Sequence, residues 1–384
     1  MKESIAIANS RLVSLDVFRG LTVAAMILVN NPGDWGNIYA PLKHAEWHGC
    51  TPTDLIFPFF LFIVGVSITF SLGSRKEKGY AAKEIILSVI KRSVILFALG
   101  IILALFPDVF VAPFETLQFL RIPGVLQRIG LVFFACAILF YKTSVRTQVY
   151  VFGFILILYW VLLTVVPVPG GIEPNLEKGT NLAAWLDREL LSEAHLWKLS
   201  RTWDPEGVLS TLPAIASGIS GVLTGVWLRR KDINANRKIA SLMIAGVFSL
   251  VAGWLWSFNF PLNKALWTSS YVLFTSGLAA CILGVFYWLI DLKGYKWFTT
   301  PFVVYGVNAI TVYFLSTILA KLFNFIKVKA ADGTVLSLKS WIFQSYFSAN
   351  FSPLNASLAW ALCFVLFWLV ILWWMYRRKL IIKV

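Results

Sequence analysis

Ten separate apolar stretches, each long enough to cross a bilayer, leave this chain almost no choice of architecture. They lie near residues 12–30, 53–73, 88–107, 121–141 and 147–168. A second set lies near 207–228, 239–258, 266–290, 298–323 and 356–376, and charged, proline or glycine-containing turns separate them all. A hydrocarbon core about 30 Å thick takes roughly 20 apolar residues per helix. Inside it no water meets the backbone, so each crossing must satisfy its own N–H and C=O groups. Continuous rather than alternating apolar runs favour helices over a barrel. The predicted class is all-α: a polytopic membrane protein of about ten transmembrane helices, with residues 1–384 forming one transmembrane domain. At 58% hydrophobic and 14% charged residues, the chain has no room for a separate large soluble domain. The first span carries Asp16 and Arg19 where a secretory leader would be uncharged, and no small-residue cleavage site follows. It is therefore expected to stay in the mature protein.

Lysines and arginines set the expected orientation. With the N-terminus inside, Lys2, Arg11, Arg75, Lys76, Lys78, Lys83, Lys91, Arg92, Lys142 and Arg146 fall on the cytoplasmic face. Arg229, Arg230, Lys231, Arg237, Lys238, Lys293, Lys296, Arg377, Arg378, Lys379 and Lys383 join them. Both termini are predicted to be cytoplasmic, and the net charge of +15 reads as topology rather than as a nucleic-acid footprint. The outer loops carry Asp34, Glu46, Glu115, Glu173, Glu177, Asp187, Glu189, Glu193, Asp204 and Glu206, so a partner bearing an amine is favoured there.

Chemistry concentrates in one outer segment, Lys43-His44-Ala45-Glu46-Trp47-His48-Gly49. His44 and His48 stand four apart, as metal ligands do, but no third ligand follows at a recognised distance, and no metal is predicted. Alone, His44 reads more readily as an ordinary surface histidine than as a catalyst. Of the cysteines, Cys136, Cys281 and Cys363 sit in predicted spans and Cys50 near the outer surface, so no structural disulfide is expected. Asp16 and Arg19 lie three apart on one helical face, and Arg128 lies about two turns into the fourth span. Each such charge costs about 2.5–3.5 kcal/mol at mid-helix, which calls for pairing, a shared polar cavity or a ligand. Asp16 and Arg19 read as a packing pair or as a cavity lining; Arg128, with no acid near it in sequence, reads as an anion contact. Asn30, Asn31, His44, Asp54, Asp204 and Glu206 converge on the outer half of the spans. The two last acids, in Trp203-Asp204-Pro205-Glu206-Gly207, also suit a plain helix start. The loop near 169–206 has apolar residues at helical spacing and reads as an amphipathic cover, the loop near 328–355 as a smaller one. Pro301, Gly306 and Asn308 are candidates for a break in the ninth span.

Several motifs carry a family resemblance. Arg11-Leu12-Val13-Ser14-Leu15-Asp16-Val17-Phe18-Arg19-Gly20, Leu28-Val29-Asn30, Lys43-His44-Ala45-Glu46-Trp47 and Asp54-Leu55-Ile56-Phe57-Pro58 resemble the opening of the heparan-alpha-glucosaminide N-acetyltransferase family. In the same order follow Arg121-Ile122-Pro123-Gly124-Val125-Leu126-Gln127-Arg128, Trp203-Asp204-Pro205-Glu206-Gly207, Leu262-Asn263-Lys264-Ala265-Leu266-Trp267 and Gly306-Val307-Asn308. The family's lysosomal branch has a further N-terminal lumenal region and span, so the resemblance implies a bacterial form in the cytoplasmic (inner) membrane.

What the resemblance implies is transmembrane acetylation, from cytoplasmic acetyl-CoA to the amine of a glucosamine-type sugar outside, by an enzyme that is a homodimer. His44 matches the catalytic histidine and Asn30 its companion, and Asp204 and Glu206 match positions important to activity. The chemistry is compatible. A neutral imidazole, with a reference pKa of about 6.5, can take the proton of an attacking amine, or can itself carry the acetyl group. Asn30 is suited to hold the developing oxyanion, an interaction worth about 3 kcal/mol. Asp54, Asp204 and Glu206 are expected to bind the acceptor's hydroxyls or ammonium. Arg19 and Arg128 are expected to meet the phosphates or pantetheine of the donor. The alternatives are an amino-sugar transporter without acyl transfer and an O-acyltransferase of envelope glycans.

Overall fold

The computed structural model describes residues 12–330 and 333–382; Lys2, Arg11 and Lys383, assigned above to the inner face, lie outside them. In chain order come α1 (Val13–Asn30), a 3₁₀ turn Pro52–Leu55 leading into α2 (Ile56–Glu77), α3 (Ala82–Leu105), a short α4 (Pro113–Gln118), α5 (Val125–Lys142) and α6 (Val145–Thr164). They are followed by α7 (Leu182–Leu191), α8 (Thr211–Arg229), α9 (Ala235–Trp256), and α10 (Ser269–Phe286) extended by a π-helical turn Tyr287–Leu292. Then come α11 (Thr299–Val307), α12 (Ala309–Phe325), the strands β1 (Lys327–Lys329) and β2 (Val335–Ser337), α13 (Leu338–Ile342), and α14 (Pro353–Arg377). Among the described residues nine helices are long and apolar enough to cross a membrane, and α11 with α12, taken as one bent span, makes ten. The helical membrane architecture is thus as expected, with helix ends displaced by a few residues.

Short turns at 78–81, 143–144, 230–234 and 293–298 join the spans at one face, and long loops at 31–51, 106–124, 165–210, 257–268 and 326–352 join them at the other. The loop near 169–206 contains α7, whose Asn181 side chain caps the helix by accepting from Ala184 N–H. The loop near 328–355 differs from its expectation. It is built from an antiparallel hairpin, β1 on β2, followed by α13 and a π-helical turn, rather than from an amphipathic helix alone.

Inside a bilayer, helices gain little from burying apolar surface and associate by close packing, so small residues sit at the crossings. The α2–α8 pair shows this: a Cβ on Gly65 would fall 2.0 Å from the Gly218 carbonyl oxygen, and one on Gly221 2.0 Å from that of Phe62. Helix α11 meets α1 in the same way, at Gly20 and Gly306.

The ninth span breaks at Asn308, where α11 and α12 meet at 80°. Pro301 is in the first turn of α11, where its missing N–H costs nothing, so it starts this helix rather than kinking it. Gly306 serves the α1 contact. Asn308 is buried, and its amide pairs with the chain's C-terminal segment: Nδ2 donates to the Leu380 carbonyl at 3.1 Å and Oδ1 accepts from Ile382 N–H at 3.0 Å. Asn308→Ala is expected to lose about 1–3 kcal/mol, seen as a lower Tm of the purified protein. Truncation after Lys379 should give a loss of similar size, since it removes the same two bonds.

Candidate active site

The site is organised around one buried carboxylate. Thr51 and Asp54 form a reciprocal capping box at the start of the turn that leads into α2. Asp54 Oδ2 accepts from the backbone N–H of Ala45 and of Thr51, each at 3.0 Å. Its other oxygen, Oδ1, lies 2.6 Å from His44 Nδ1. The Tyr271 hydroxyl, from α10, donates to the Asp54 backbone carbonyl at 2.5 Å. Asp54 is 1% exposed, whereas the His44 side chain is 46% exposed. An ionised carboxylate can only accept, so Nδ1 carries the ring proton and Nε2 presents its lone pair outward.

A second loop reaches the same ring. Gly49 N–H donates to the Leu262 carbonyl at 2.7 Å, and the buried Asn263 accepts from Leu266 N–H at 2.8 Å, which fixes residues 262–268 against the His44 loop. Lys264 Nζ consequently stands 3.2 Å from both His44 ring nitrogens and 4.0 Å from Asp54 Oδ1. Burial lowers the Lys264 pKa, against the opposing pull of Asp54 and Glu206. Cys50, beside this cluster, is no nucleophile: burial and the Asp54 charge push its thiol up to about 12.

The remaining acids belong to an arginine. Arg121 binds Asp204 through two bonds, Nε to Oδ2 at 2.8 Å and Nη2 to Oδ1 at 2.6 Å, and Nη2 also reaches Glu206 Oε2 at 2.6 Å. Burial alone would lower the Arg121 pKa, but these two acids together raise it. Glu206 is lowered, the charges of Arg121, Arg128 and Lys264 outweighing its burial. Arg128 donates to the Gly207 carbonyl at 3.0 Å and to Ser210 Oγ at 2.5 Å, and its guanidinium lies 5.3 Å from the Trp267 ring centre. The whole cluster is roofed by the 165–210 loop. Trp47 donates to the Leu176 carbonyl at 2.8 Å and packs edge-on against Trp203, which packs on Trp197.

From the short-turn face a cavity of about 640 Å³ enters the bundle. Arg19, Arg75, Lys91 and Arg92 line it together with Ser67, Ser71, Ser88 and the apolar residues Phe60 and Val64. Arg19 pairs with Asp16 at 3.0 Å and donates to Ser67 Oγ at 2.7 Å, so the packing pair and the cavity lining foreseen for these residues are one arrangement. At 1.5 Å per residue, the α2 wall from Arg75 to Phe60 is about 22 Å deep and stops about 9 Å short of Asp54.

Several sequence expectations land differently. Arg128 is not among the residues lining the basic cavity; it is buried beside the acids near the long-loop face. Asp54 and Asp204, expected to face a sugar, are nearly inaccessible and bonded to His44 and Arg121, because buried carboxylates take the nearest N–H donors. Asn30 is exposed and lines a separate cavity of about 140 Å³ with Asn31, Trp35, Asn324 and Lys339, which does not include His44. His48 finds Asn263, 3.4 Å away, as its partner, while His44 finds Asp54. Lys264 and Arg121 were absent from the sequence-derived set. Both left a signal: each is a cation in a long-loop connection, against the prevailing charge bias.

Fold and site together define a polytopic helical membrane protein with a histidine–carboxylate site at one face and a basic cavity entering from the other. Residues 11–186 match the family described as heparan-alpha-glucosaminide N-acetyltransferase, catalytic. The heparan-alpha-glucosaminide N-acetyltransferase of Mus musculus is 34% identical over 374 residues, covering 84% of this chain and 56% of the relative. That of Homo sapiens is 36% identical over 358 residues, covering 79% and 52%. The chain thus spans about half the length of the curated relatives it matches. Its sequence is related to that of the heparan-alpha-glucosaminide N-acetyltransferases over most of its own length.

Removing the Arg121 guanidinium leaves two buried carboxylates without their cation. Arg121→Ala is therefore expected to cost about 3–5 kcal/mol, read as a large fall in Tm, while Arg121→Lys recovers part of it. Asp187 accepts from Val208 N–H at 2.8 Å, yet burial, aided by the Asp204 charge, raises its pKa to about 6. The folded state then holds the Asp187 proton more tightly than the unfolded chain. This stabilising contribution is complete below about pH 4 and is lost as pH rises toward about 6. Asp187→Asn should flatten the pH dependence of Tm across that window.

Proposed function

We propose that the protein is a transmembrane N-acetyltransferase: acetyl-CoA occupies the basic cavity from the cytoplasm, and the amine of a glucosamine-type sugar is acetylated at His44 on the extra-cytoplasmic side. The observation that carries this reading is the two-ended layout of α2. One end of the helix borders an arginine-rich cavity suited to phosphates, and the other begins at the Asp54–His44 pair. The excess of lysine and arginine at the short-turn face supports placing that face, and both termini, in the cytoplasm of a bacterial inner membrane.

Each residue then has a defined task. Arg75, Lys91 and Arg92 meet the donor's charged groups near the mouth, and Arg19 lies deeper, held by Asp16 and Ser67. Asp54 fixes the His44 tautomer so that Nε2 faces the acetyl group, as base or as acyl carrier. Arg121, with Asp204 and Glu206, braces the 204–210 corner, and Arg128 holds Gly207 and Ser210 in it. Donor and acceptor meet without either crossing the membrane, which CoA, with its phosphates, cannot do unaided.

Purified protein given acetyl-CoA and either glucosamine or a glycan with free hydroxyls should yield N-acetylated sugar by mass spectrometry, and His44→Ala should lose at least a hundredfold of that rate. O-acetylated glycan as the product, or sugar uptake into vesicles with no acetylated product, would instead establish one of the other two activities. Arg92→Ala and Arg19→Ala should raise KM for acetyl-CoA with little change in KM for the sugar; an unchanged KM would remove that residue from the donor site.

A further inference from the structure

Lys264 is the least expected member of the site. Its Nζ is equidistant, at 3.2 Å, from the two nitrogens of His44. A donor aimed at the Nε2 lone pair would lie far nearer that nitrogen than Nδ1. A position in the ring plane midway between them would collide with Cε1. The amine therefore lies over the face of the imidazole, with the Nε2 lone pair clear of it. An acetyl group brought to Nε2 exposes its carbonyl carbon above and below its own plane, and a nucleophile must arrive from one of those sides. Lys264 already occupies such an approach. Most of its side chain is buried, and Asp54 and Glu206 supply the negative surroundings that an acceptor's ammonium group would seek. Burial also favours its neutral, nucleophilic form.

We propose that Lys264 is itself an acetyl acceptor: with donor bound and no sugar amine in the site, the acetyl group passes to Lys264 Nζ and silences the protein. This rests on the acetyltransferase reading above. In the step, His44 Nε2 attacks the thioester carbonyl carbon, the C–S bond breaks and the sulfur leaves as a thiolate; the neutral Lys264 amine then attacks the same carbon from over the ring face, the Nζ–C bond forming as the C–Nε2 bond breaks. The proton shed by Nζ passes to the thiolate, and His44 returns to its neutral form. The product amide carries no charge, so Asp54 and Glu206 lose a cation and the acetyl group fills the acceptor's place. A sugar amine competes with Lys264 for the same position, and so protects the protein while it is being turned over.

The test uses the full chain in lipid nanodiscs, incubated with acetyl-CoA with and without saturating glucosamine, followed by peptide mass spectrometry and an activity assay. One acetyl group is expected on Lys264 without glucosamine, reduced several-fold with it and absent in His44→Ala, and residual activity should fall in proportion to the modified fraction. Lys264→Arg keeps the charge and offers no amine to acylate, so preincubation with donor should cost it none of its own starting activity. An unmodified Lys264 in protein that acetylates glucosamine overturns the proposal. So does acetylation undiminished in His44→Ala, or shared evenly with the loop lysines Lys178 and Lys198. If neither glucosamine nor Lys264 is acetylated, the acetyltransferase reading falls with it.

Discussion

Asp54 is the constraint from which the long-loop half of the molecule is built. A carboxylate buried at a helix start must be given donors, or its desolvation would exclude it. The chain supplies them from its own neighbourhood: Ala45 and Thr51 N–H on one oxygen, His44 on the other. Those bonds close the 43–54 loop, and closing it fixes the imidazole ring. The loop in turn accepts the 262–268 segment through Gly49 and Leu262, and that segment delivers Lys264. Structure and chemistry share one cause here, since the bonds that make Asp54 tolerable also fix which His44 nitrogen is left with a lone pair.

The distribution of cations follows the same logic on a larger scale. Arginine is strongly hydrated at the membrane surface and costly within the core, so those inside need local partners. Arg19 has Asp16 and Ser67, and Arg128 has Gly207, Ser210 and the Trp267 ring face. Arg75 bonds Ser88 Oγ at 2.7 Å near the end of α2, where the cavity opens. One set of arginines thus faces a cavity; of the other, Arg121 is taken up in bracing a loop, while Arg128 braces it through Nη2 alone and keeps Nε and Nη1 buried without a hydrogen-bond partner among the described residues.

The spans were legible because bilayer thickness writes itself into the length of apolar runs, and the break at Asn308 because a polar residue after glycine interrupts such a run. His44 and Asp54 were legible as polar residues at the outer ends of adjacent spans. What could not be read was pairing at long sequence distance. Arg121 meets Asp204 and Glu206 more than eighty residues on, and Lys264 meets His44 across 220 positions. The partners of Arg128, Gly207 and Ser210, were not legible because nothing in the sequence shows which loop bends over it. The β1–β2 hairpin escaped notice because three-residue strands leave too short an alternation to register.

A two-ended site also has to be sealed between its ends. The wall from Phe60 to Asp54 is short, and it is filled by aromatic rings: Phe57 meets Trp267 edge-on at 5.1 Å, and Trp267 meets Tyr271 at 5.5 Å. Trp267 is held in the left-handed backbone region, at φ 56°, a conformation that costs about 1–3 kcal/mol for a bulky residue. It stays there because Asn263 fixes the preceding turn and because its indole N–H donates to Ser217 Oγ at 3.0 Å. A ring so placed is part of the packed apolar layer between the basic cavity and the His44 loop. The strain at Trp267 thus sits in the layer between the end of the basic cavity and the Asp54–His44 pair, and the Phe57 and Tyr271 rings packed against the indole hold it there.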